Sequence, residues 1–267
     1  MPPDPEYVAA RRVLLDALGA LDNHRNAVVL VGAQAIYLRV GEGDLSTAPY
    51  TTDADLAIDP RQLDDKPDLA QTLEAAGFEL AISPGTWTLH PTEVQIDFLV
   101  PSSLGGPGRR GARLGPHGTH IARKATGLEA AMVDHSLIRV GALDPGDNRV
   151  FDVSVAGITA MLVAKLHKID ERKNDPNRLQ PKDALDVLRL LRFADTSYLP
   201  ATLKRLAKNP VAGKVTLAAR TFLFELFGER DALGSQMAAQ SSAGLEDEVA
   251  IAISCEVLAQ RLLKGWK

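Results

Sequence analysis

The sequence predicts an α/β protein of the α+β type, with a mixed-sheet domain followed by a C-terminal α-helical bundle. Up to residue 153, short apolar runs typical of strands alternate with helical segments, whereas apolar residues recur at helical spacing from residue 154 onwards. The 267 residues are 45% hydrophobic and 24% charged, a composition typical of a globular protein with a sizeable core. We therefore expect an α/β domain over residues 1–153 and a helical domain over residues 154–267.

The single cysteine favours a reducing compartment. The net charge does not exclude any class of binding partner. The formal net charge of −4 does not indicate a nucleic-acid-binding surface, although a local basic patch would suffice for one. Cys255 is the single cysteine, so the chain cannot form an internal disulfide. The sequence has neither an apolar core of signal-peptide type at its start nor a run long enough to span a bilayer. We expect a cytoplasmic protein that does not enter the membrane.

The predicted elements of the first domain follow one another at short intervals. Asp4 is suited to cap a helix that begins at Pro5, because an Asp side chain accepts hydrogen bonds from the free N–H groups of a first turn. Further helices are predicted over residues 33–40 and 63–76. Strands are predicted at Val28–Val31, 51–58, 78–82, 86–90, 92–100, 136–140 and 149–153.

The second domain is predicted from amphipathic helices. Ile158, Leu162, Leu166 and Ile169 lie at helical spacing, and a second helix is predicted from residue 181. Residues 234–244 are rich in Ser and Gln and begin and end with Gly, a composition that predicts a linker. The remaining helices are predicted over residues 199–207, 211–227 and 245–263. Packing is their default role, and a surface for a partner or RNA is the open alternative.

Residues 28–59 have the outline of a site for a metal ion and a nucleotide. Asp53 and Asp55 point to the same face, because side chains alternate along a strand. Two neighbouring carboxylates repel each other, and they suit either solvent or a divalent cation such as Mg²⁺ that is bound together with substrate phosphates. Gly32 ends the preceding strand and opens a helix, a geometry that lets backbone N–H groups approach a phosphate.

This arrangement resembles the nucleotidyltransferase fold of the polymerase-beta type. That superfamily has a hydrophobic residue, Gly, then Gly or Ser, a spacer and D-x-[DE]; here the pattern is V-G-A at 31–33 and D-A-D at 53–55. The alanine departs from the pattern, so a hydroxyl contact to phosphate is absent. The long spacer is similar to that of AbiEii/MenT-type toxins, in which a T-x-D-x-D strand follows the turn. The resemblance implies nucleotide contacts at Gly32, Ala33, Gln34 and Thr52.

A third carboxylate, Asp97, lies alone among apolar residues of the strand predicted at 92–100. A lone Asp in a strand is more often an edge residue or one half of an ion pair, because buried charges need partners. With Asp53 and Asp55 upstream, the resemblance implies instead that Asp97 is the third acidic ligand of a two-metal site. Mg²⁺ is then expected to bind Asp53, Asp55 and Asp97.

Lys165 and Asp183 extend the predicted site into the helical domain. Lys165 lies beside an apolar helical stripe, where an ammonium is costly unless it reaches solvent or faces anions. Asp183 falls in the first turn of a helix, where an acid is stabilised even without a functional role. The segments around both residues resemble the A-x-K-L and K-D-x-x-D-L segments of AbiEii/MenT-type proteins. The resemblance implies that Lys165 contacts the NTP triphosphate and that Asp183 completes the catalytic set, so Lys165→Ala is expected to weaken NTP use more than folding.

Residues 101–118 form a Gly-, Pro- and Arg-rich segment that predicts a mobile loop. Arg109, Arg110 and Arg113 have the chemistry to hold oxygens of RNA or of a triphosphate. No aromatic residue is interleaved with these arginines, so a solvated loop is an equal alternative. The three arginines are therefore candidate acceptor-binding residues.

The residues and the resemblance together predict a Mg²⁺-dependent nucleotidyltransferase, which would transfer a nucleotidyl group from an NTP to an acceptor hydroxyl and release pyrophosphate. The resemblance implies tRNA as the acceptor, a toxin role in a toxin–antitoxin system and a cognate antitoxin as the partner. A small molecule of the aminoglycoside type or a protein side chain is the alternative acceptor, because the net charge is −4 and no clear basic stripe is present. A catalytically inactive binding scaffold is a further alternative, which the retention of the three carboxylates and Lys165 disfavours.

Overall fold

Strands alternate with helices in the first part of the chain and helices follow, in a computed structural model that describes residues 3–41, 51–193 and 198–267. The α-helices are α1 (Pro5–Ala20), α2 (Gly32–Val40), α3 (Leu69–Ala75), α4 (Ile158–Arg172), α5 (Pro181–Phe193), α6 (Tyr198–Ala207), α7 (Gly213–Phe227), α8 (Leu233–Ser241) and α9 (Glu248–Gly265). The strands are β1 (Val28–Val31), β2 (Asp53–Ile58), β3 (Phe78–Leu80), β4 (Thr86–Leu89), β5 (Val94–Pro101), β6 (Arg123–Ala125), β7 (His135–Gly141) and β8 (Val150–Ala156).

The strands form one mixed sheet, as the sequence predicts. Their order is β3-β4-β5-β2-β1-β8-β7, and β6 also pairs with β5. The pairs β2–β5, β5–β6 and β1–β8 are parallel, and the other neighbouring pairs are antiparallel. Leu30, Leu56 and Phe98, one on each of the three central strands, are fully buried. The centre of the sheet is therefore anchored in the core, and its strand ends are available for a site.

One edge of β5 is shared by two short strands. β4 pairs with residues 94–97, and β6 then pairs with residues 99–101 on the same side. The chain passes this junction at Gly85, where a Cβ atom would lie 2.5 Å from the backbone nitrogen of Arg123. The succession of β4 and β6 brings Arg123, the first residue of β6, beside Asp97 of β5.

The helix starts follow their capping residues. Asp4 caps α1 as predicted, because its side chain accepts a hydrogen bond from the N–H of Glu6 at 2.8 Å. The helix predicted over residues 63–76 instead begins at Leu69, where the side chain of Asp68 caps the first turn. The apolar spacing therefore predicted the helix correctly only after residue 68, and residues 63–67 lie outside it.

The linker predicted at residues 234–244 is wrong, because most of it belongs to α8. The hydroxyl of Ser235 donates to the carbonyl of Glu229 at 2.9 Å, so a residue type that favours loops is satisfied within the helical region. Ala238 and Ala239 are buried, and these small side chains allow α8 to pack closely against α5 and α9. Composition alone pointed to a loop, whereas packing selects a helix.

The predicted domain boundary falls inside a strand. β8 continues to Ala156, and α4 begins at Ile158, so residue 153 does not separate the two parts. Buried apolar residues from both sides, including Leu30 of β1 and Leu188 of α5, belong to a single cluster. The sheet and the helical part therefore share one hydrophobic core.

The last helix has the pattern of a helix packed on one side. α9 spans 18 residues, buries Ile251 and Cys255, and leaves Val249 exposed. Burial raises the pKa of the Cys255 thiol to about 12, so a reactive thiolate is disfavoured at neutral pH. None of the helices in the described ranges combines the length and hydropathy that a bilayer crossing requires.

Candidate active site

Three carboxylates lie together on neighbouring strands. Asp55 on β2 is in register with Asp97 on β5, and Asp53 lies two residues before Asp55 on the same face of β2. Thr51 donates a hydrogen bond to Asp53 Oδ1 at 2.6 Å, and Thr86 of β4 donates to Asp97 Oδ1 at 2.7 Å. The register of the sheet thus brings the three aspartates named from the sequence to one face.

The carboxylates line a pocket of about 370 Å³, a volume within the range of small-ligand sites. The lining cations are Arg123 and Lys124 of β6, Lys165, Lys168 and Arg172 of α4, and Arg178 and Lys182 after α4. The sheet therefore presents acidic groups from β2 and β5, and α4 and β6 present basic groups. A polyphosphate bound together with a metal ion would complement both sets of charges.

Asp55 is the least compensated of the three carboxylates. Within the described residues, the side chain of Asp55 accepts no hydrogen bond and forms no ion pair. Burial, followed by the charges of Asp53 and Asp97, raises the pKa of Asp55 to about 7, although Lys168 and Arg123 partly oppose this shift. Asp55 therefore titrates near neutral pH, and a cation entering the pocket would favour its ionised form.

Gly32 is required where the chain passes Asp55. Its φ of +72° lies in the left-handed region, which residues with a Cβ atom rarely adopt. A Cβ atom at this position would lie 2.0 Å from Asp55 Oδ2, far inside van der Waals contact. Gly32 also begins α2 and lines the pocket, so the free N–H groups of the first turn adjoin the carboxylates.

Lys165 lies in a buried ion cluster. Its Nζ donates to Asp183 Oδ1 at 2.6 Å and lies 2.9 Å from Asp186 Oδ2. Burial alone would lower the pKa of Lys165, but the charges of Asp186 and Asp183 outweigh burial and raise it. Burial would raise the pKa of Asp183, and the charges of Lys165 and Lys168 outweigh burial there and hold it well below its usual value. The cluster is therefore charged on both sides and joins α4 to α5.

Lys165 and Asp183 have partners within the chain that the sequence does not predict. A triphosphate contact was expected of Lys165, but its ammonium is already held by two carboxylates of the chain itself. Asp183 does not join the aspartates of the sheet, because it pairs with Lys165 and Lys168. The physical reason is that a buried ammonium needs anions, and α5 supplies them.

Lys165 and Lys168 of α4 both line the pocket, and Lys168 is the more exposed of the two. Its side chain is 37% exposed, compared with 7% for Lys165, and its Nζ donates to Asp183 Oδ1 at 2.9 Å. Burial and the charge of Lys165 lower the pKa of Lys168, and Asp183 and Asp55 oppose this shift. Lys168 thus links the buried cluster to the carboxylates of the sheet.

Gln34, Ala33 and Thr52, which were predicted to contact a nucleotide, differ in their burial and in their position relative to the pocket. Gln34 is buried, accepts a hydrogen bond from Arg11 Nε at 2.8 Å, and donates to the carbonyl of Asp53 at 3.1 Å. Its side chain therefore positions β2 and does not line the pocket. Ala33 lies half-buried in the first turn of α2, directly after the pocket-lining residue Gly32. Thr52 is exposed and does not line the pocket.

The arginine-rich segment is fixed to the sheet. Ala112 N–H donates to the Ala122 carbonyl at 2.9 Å, and Lys124 N–H donates to the Arg110 carbonyl at 2.8 Å. The predicted free loop is thus a segment with regular backbone contacts to the β6 region. Arg109, Arg110 and Arg113 are exposed and do not line the pocket, so they stay candidate acceptor contacts outside it.

The predicted Mg²⁺ site is not preassembled. Across the described ranges, no group of three His, Cys, Asp or Glu residues is arranged as metal ligands. Arg123 pairs with Asp97, which directs this carboxylate to a protein cation. The donor chemistry nevertheless fits Mg²⁺, because Asp55 is an unpaired carboxylate with a raised pKa beside Asp53.

Sequence reasoning gave no site role to Arg123, Asp186 or Lys168. Arg123 belongs to a three-residue strand, and its pairing with β5 leaves no signal in the local pattern. Asp186 is different, since it lies three residues after Asp183 on the same helix face. That spacing, together with the apolar stripe around Lys165, was a signal for a buried ion cluster.

The raised pKa of Asp55 predicts how the stability of the metal-free protein depends on pH. An acid whose pKa is higher in the folded state favours folding while protonated, so its contribution is complete below about pH 4 and is lost as the pH rises through about 7. We expect the free energy of unfolding of Asp55→Asn to fall less steeply with rising pH than that of the wild type. At about pH 8 the variant should be at least as stable as the wild type. Urea unfolding in EDTA across this range measures it, with the exposed Asp65→Asn as control. Parallel profiles for Asp55→Asn and wild type would contradict the shift.

Comparisons with known proteins do not assign the chain to a family. No family model matches the sequence, and no curated protein matches it. Among solved structures, the chain is similar to JHP933 from Helicobacter pylori at 16% identity and a TM-score of 0.42, with 99% of this chain and 94% of that chain covered. The functional interpretation therefore rests on the residues of the pocket.

Proposed function

We propose that the pocket is the active site of a nucleotidyltransferase that uses an NTP and Mg²⁺. The observation that supports this most directly is the row of three aspartates on β2 and β5, which lines one pocket together with cations of β6 and α4. Carboxylate oxygens suit Mg²⁺, and the cations suit phosphates. The start of α2 at Gly32 adds backbone N–H donors beside the carboxylates.

In the proposed reaction, the acceptor hydroxyl oxygen forms a bond to the α-phosphorus of the NTP. The bond between this phosphorus and the oxygen that bridges to the β-phosphate breaks, and pyrophosphate and the hydroxyl proton leave. Bound Mg²⁺ would stabilise the attacking and leaving oxygens. Asp53, Asp55 and Asp97 would hold the metal, and Lys168 would neutralise charge on the phosphates.

Lys165 and Asp183 are positioning residues in this proposal. Asp183 Oδ1 accepts hydrogen bonds from Lys165 at 2.6 Å and from Lys168 at 2.9 Å, so one carboxylate fixes both lysines. Lys165 is held from the other side by Asp186. The cluster therefore orients Lys168 towards the pocket without itself contacting substrate.

For the acceptor we propose an RNA hydroxyl, with tRNA as the class that the family resemblance implies. Arg178 and Lys182 are exposed at the pocket, and Arg110 is hydrogen-bonded through its carbonyl to the pocket-lining residue Lys124. These exposed cations suit a polyanion. A toxin role, an antitoxin partner and a cytoplasmic location are proposals that follow from the same resemblance.

A transfer assay tests the function and the acceptor together. NTPs labelled at the α-phosphate are incubated with Mg²⁺ and total tRNA, total protein or an aminoglycoside panel. We expect the wild type to label tRNA, and Asp53→Asn and Asp55→Asn to lose at least about a hundredfold in rate, since each removes a carboxylate that would hold the metal. Asp65→Asn, on the exposed surface, is the matched carboxylate control and should label normally.

The position of the label separates the alternatives. In a parallel assay with NTPs labelled at the γ-phosphate, transfer of the γ-label without transfer of the α-label would identify a phosphotransferase and contradict nucleotidyl transfer. Label in protein or in an aminoglycoside would change the acceptor and keep the reaction. No label in any fraction, with all four NTPs, would support a binding scaffold.

A further inference from the structure

Asp97 and Asp55 are in register on neighbouring strands, but their carboxylates differ in the hydrogen-bond donors around them. Asp97 Oδ1 accepts a hydrogen bond from Thr86, and Asp97 Oδ2 accepts one from Arg123 Nη2. Both oxygens of this carboxylate are thus engaged by donors of the protein. Asp55 has no such donor within the described residues. A divalent cation that used both carboxylates would compete with the guanidinium of Arg123 for Asp97.

The pair between Arg123 and Asp97 is suited to exchange. The side chain of Arg123 is 36% exposed and that of Asp97 is 21% exposed, so the pair borders the pocket and is not sealed in the core. Partly exposed ion pairs contribute little net stability. This contrasts with the nearby pair of Lys165 and Asp183, whose side chains are 7% and 2% exposed. Arg123 can therefore leave its partner at low cost, whereas Lys165 cannot.

The backbone of Arg123 stays in place during such an exchange. β6 pairs with β5 at Leu99, and Arg123 N lies so close to Gly85 that a Cβ atom there would be 2.5 Å away. Only the side chain is free to move. Its fork of N–H groups matches phosphate oxygens as well as carboxylate oxygens, so the pocket offers a second partner once a triphosphate is bound.

We infer that Arg123 is a displaceable counter-ion, which holds Asp97 before substrate binds and transfers to the triphosphate when metal and NTP enter together. The inference rests on the proposed function and adds a binding order to it. Before NTP binds, Arg123 disfavours metal at Asp97. After NTP binds, the same guanidinium stabilises the phosphates and releases Asp97 for the metal. Binding of metal and NTP is thereby coupled through one side chain.

The first test measures metal affinity without nucleotide. Mn²⁺ is titrated into wild type, Arg123→Gln and Lys182→Gln, with free Mn²⁺ followed by electron paramagnetic resonance. Lys182 is the matched control, because it is exposed, lines the same pocket and forms no ion pair within the described residues. Each variant removes one positive charge, but only Arg123→Gln frees Asp97. We expect Arg123→Gln to bind Mn²⁺ at least about threefold more tightly than Lys182→Gln.

The second test measures triphosphate affinity in EDTA and keeps Arg123 intact. Asp97→Asn and Asp53→Asn each remove one carboxylate charge from the same face of the sheet. Asp97→Asn also releases Arg123, so it should strengthen ATP binding at least about threefold more than Asp53→Asn does. This comparison does not depend on the folding of Arg123→Gln.

The outcomes distinguish the inference from the proposed function. Equal Mn²⁺ affinities of Arg123→Gln and Lys182→Gln, or equal ATP affinities of Asp97→Asn and Asp53→Asn, would overturn the exchange of Arg123 while leaving the active site in place. A wild type and variants that bind neither Mn²⁺ nor ATP would overturn the proposed function and this inference together.

Discussion

Replacing Lys165 by Met is expected to lower the free energy of unfolding by about 3 kcal/mol. The ammonium is buried and lies 2.6 Å from Asp183 Oδ1 and 2.9 Å from Asp186 Oδ2. Its removal leaves two buried carboxylates with fewer cations, and an uncompensated buried charge is costly. The expected loss is at the lower end for a buried pair, because Lys168 still pairs with Asp183 and Arg189 with Asp186.

Urea unfolding at neutral pH measures this loss, and thermal melting should show Tm lower by roughly 6–12 °C. Lys182→Met, in the exposed first turn of α5, is the control and should unfold like wild type. Adding Asp186→Asn to Lys165→Met should cost less than the two single losses combined, because the residues share one network. Wild-type stability of Lys165→Met would contradict the cluster and favour the substrate contact that the sequence predicts.

Gly32→Ala is expected to abolish metal-dependent NTP binding while the fold persists. Gly32 has a φ of +72°, and an added Cβ atom would lie 2.0 Å from Oδ2 and 2.8 Å from Cγ of Asp55. The left-handed backbone alone costs about 1–2 kcal/mol with a Cβ atom present. The carboxylate must also move, so we expect loss of the stabilisation by Mg²⁺–NTP, about 2.7 kcal/mol at a hundredfold excess over Kd.

Gly41→Ala at the other end of α2 is the matched control. Gly41 has a φ of +65°, and among the described residues it has no neighbour that an added Cβ atom would meet within 4 Å. Both variants should therefore lose intrinsic stability, but only Gly32→Ala should lose the added stability from Mg²⁺–NTP. Thermal melts of both variants with and without Mg²⁺–NTP separate the two effects. Equal stabilisation of both variants by ligand would show that the position of Asp55 is not needed.

The sequence predicted the parts of the site that depend on local patterns. Alternation along β2 placed Asp53 and Asp55 on one face, and apolar runs identified β1 and β5, the two neighbours of β2 in the sheet. The glycine that opens α2 was visible as a break between a strand and a helix. These features extend over a few residues, so period and turn chemistry are sufficient to find them.

The parts that were missed depend on contacts between distant residues. Arg123 reaches Asp97 only because β6 continues the edge that β4 leaves, a pairing that no local pattern encodes. The partners of Lys165 were ambiguous for the same reason: anions were expected, but whether they belonged to the substrate or to α5 depended on helix packing. Gln34 was assigned to a nucleotide by its position in a motif, whereas Arg11 of α1, 23 residues earlier, holds its side chain.

The single hydrophobic core has a consequence for how the protein unfolds: the sheet and the helical part should unfold together. Leu30 of the sheet and Leu188 of the helical part are buried in one apolar cluster. We therefore expect secondary-structure and tertiary-contact probes placed in either part to report coincident unfolding transitions. A destabilising substitution in the helices after β8 should therefore lower the fraction of folded protein as much as an equally destabilising one beside the aspartates of the sheet.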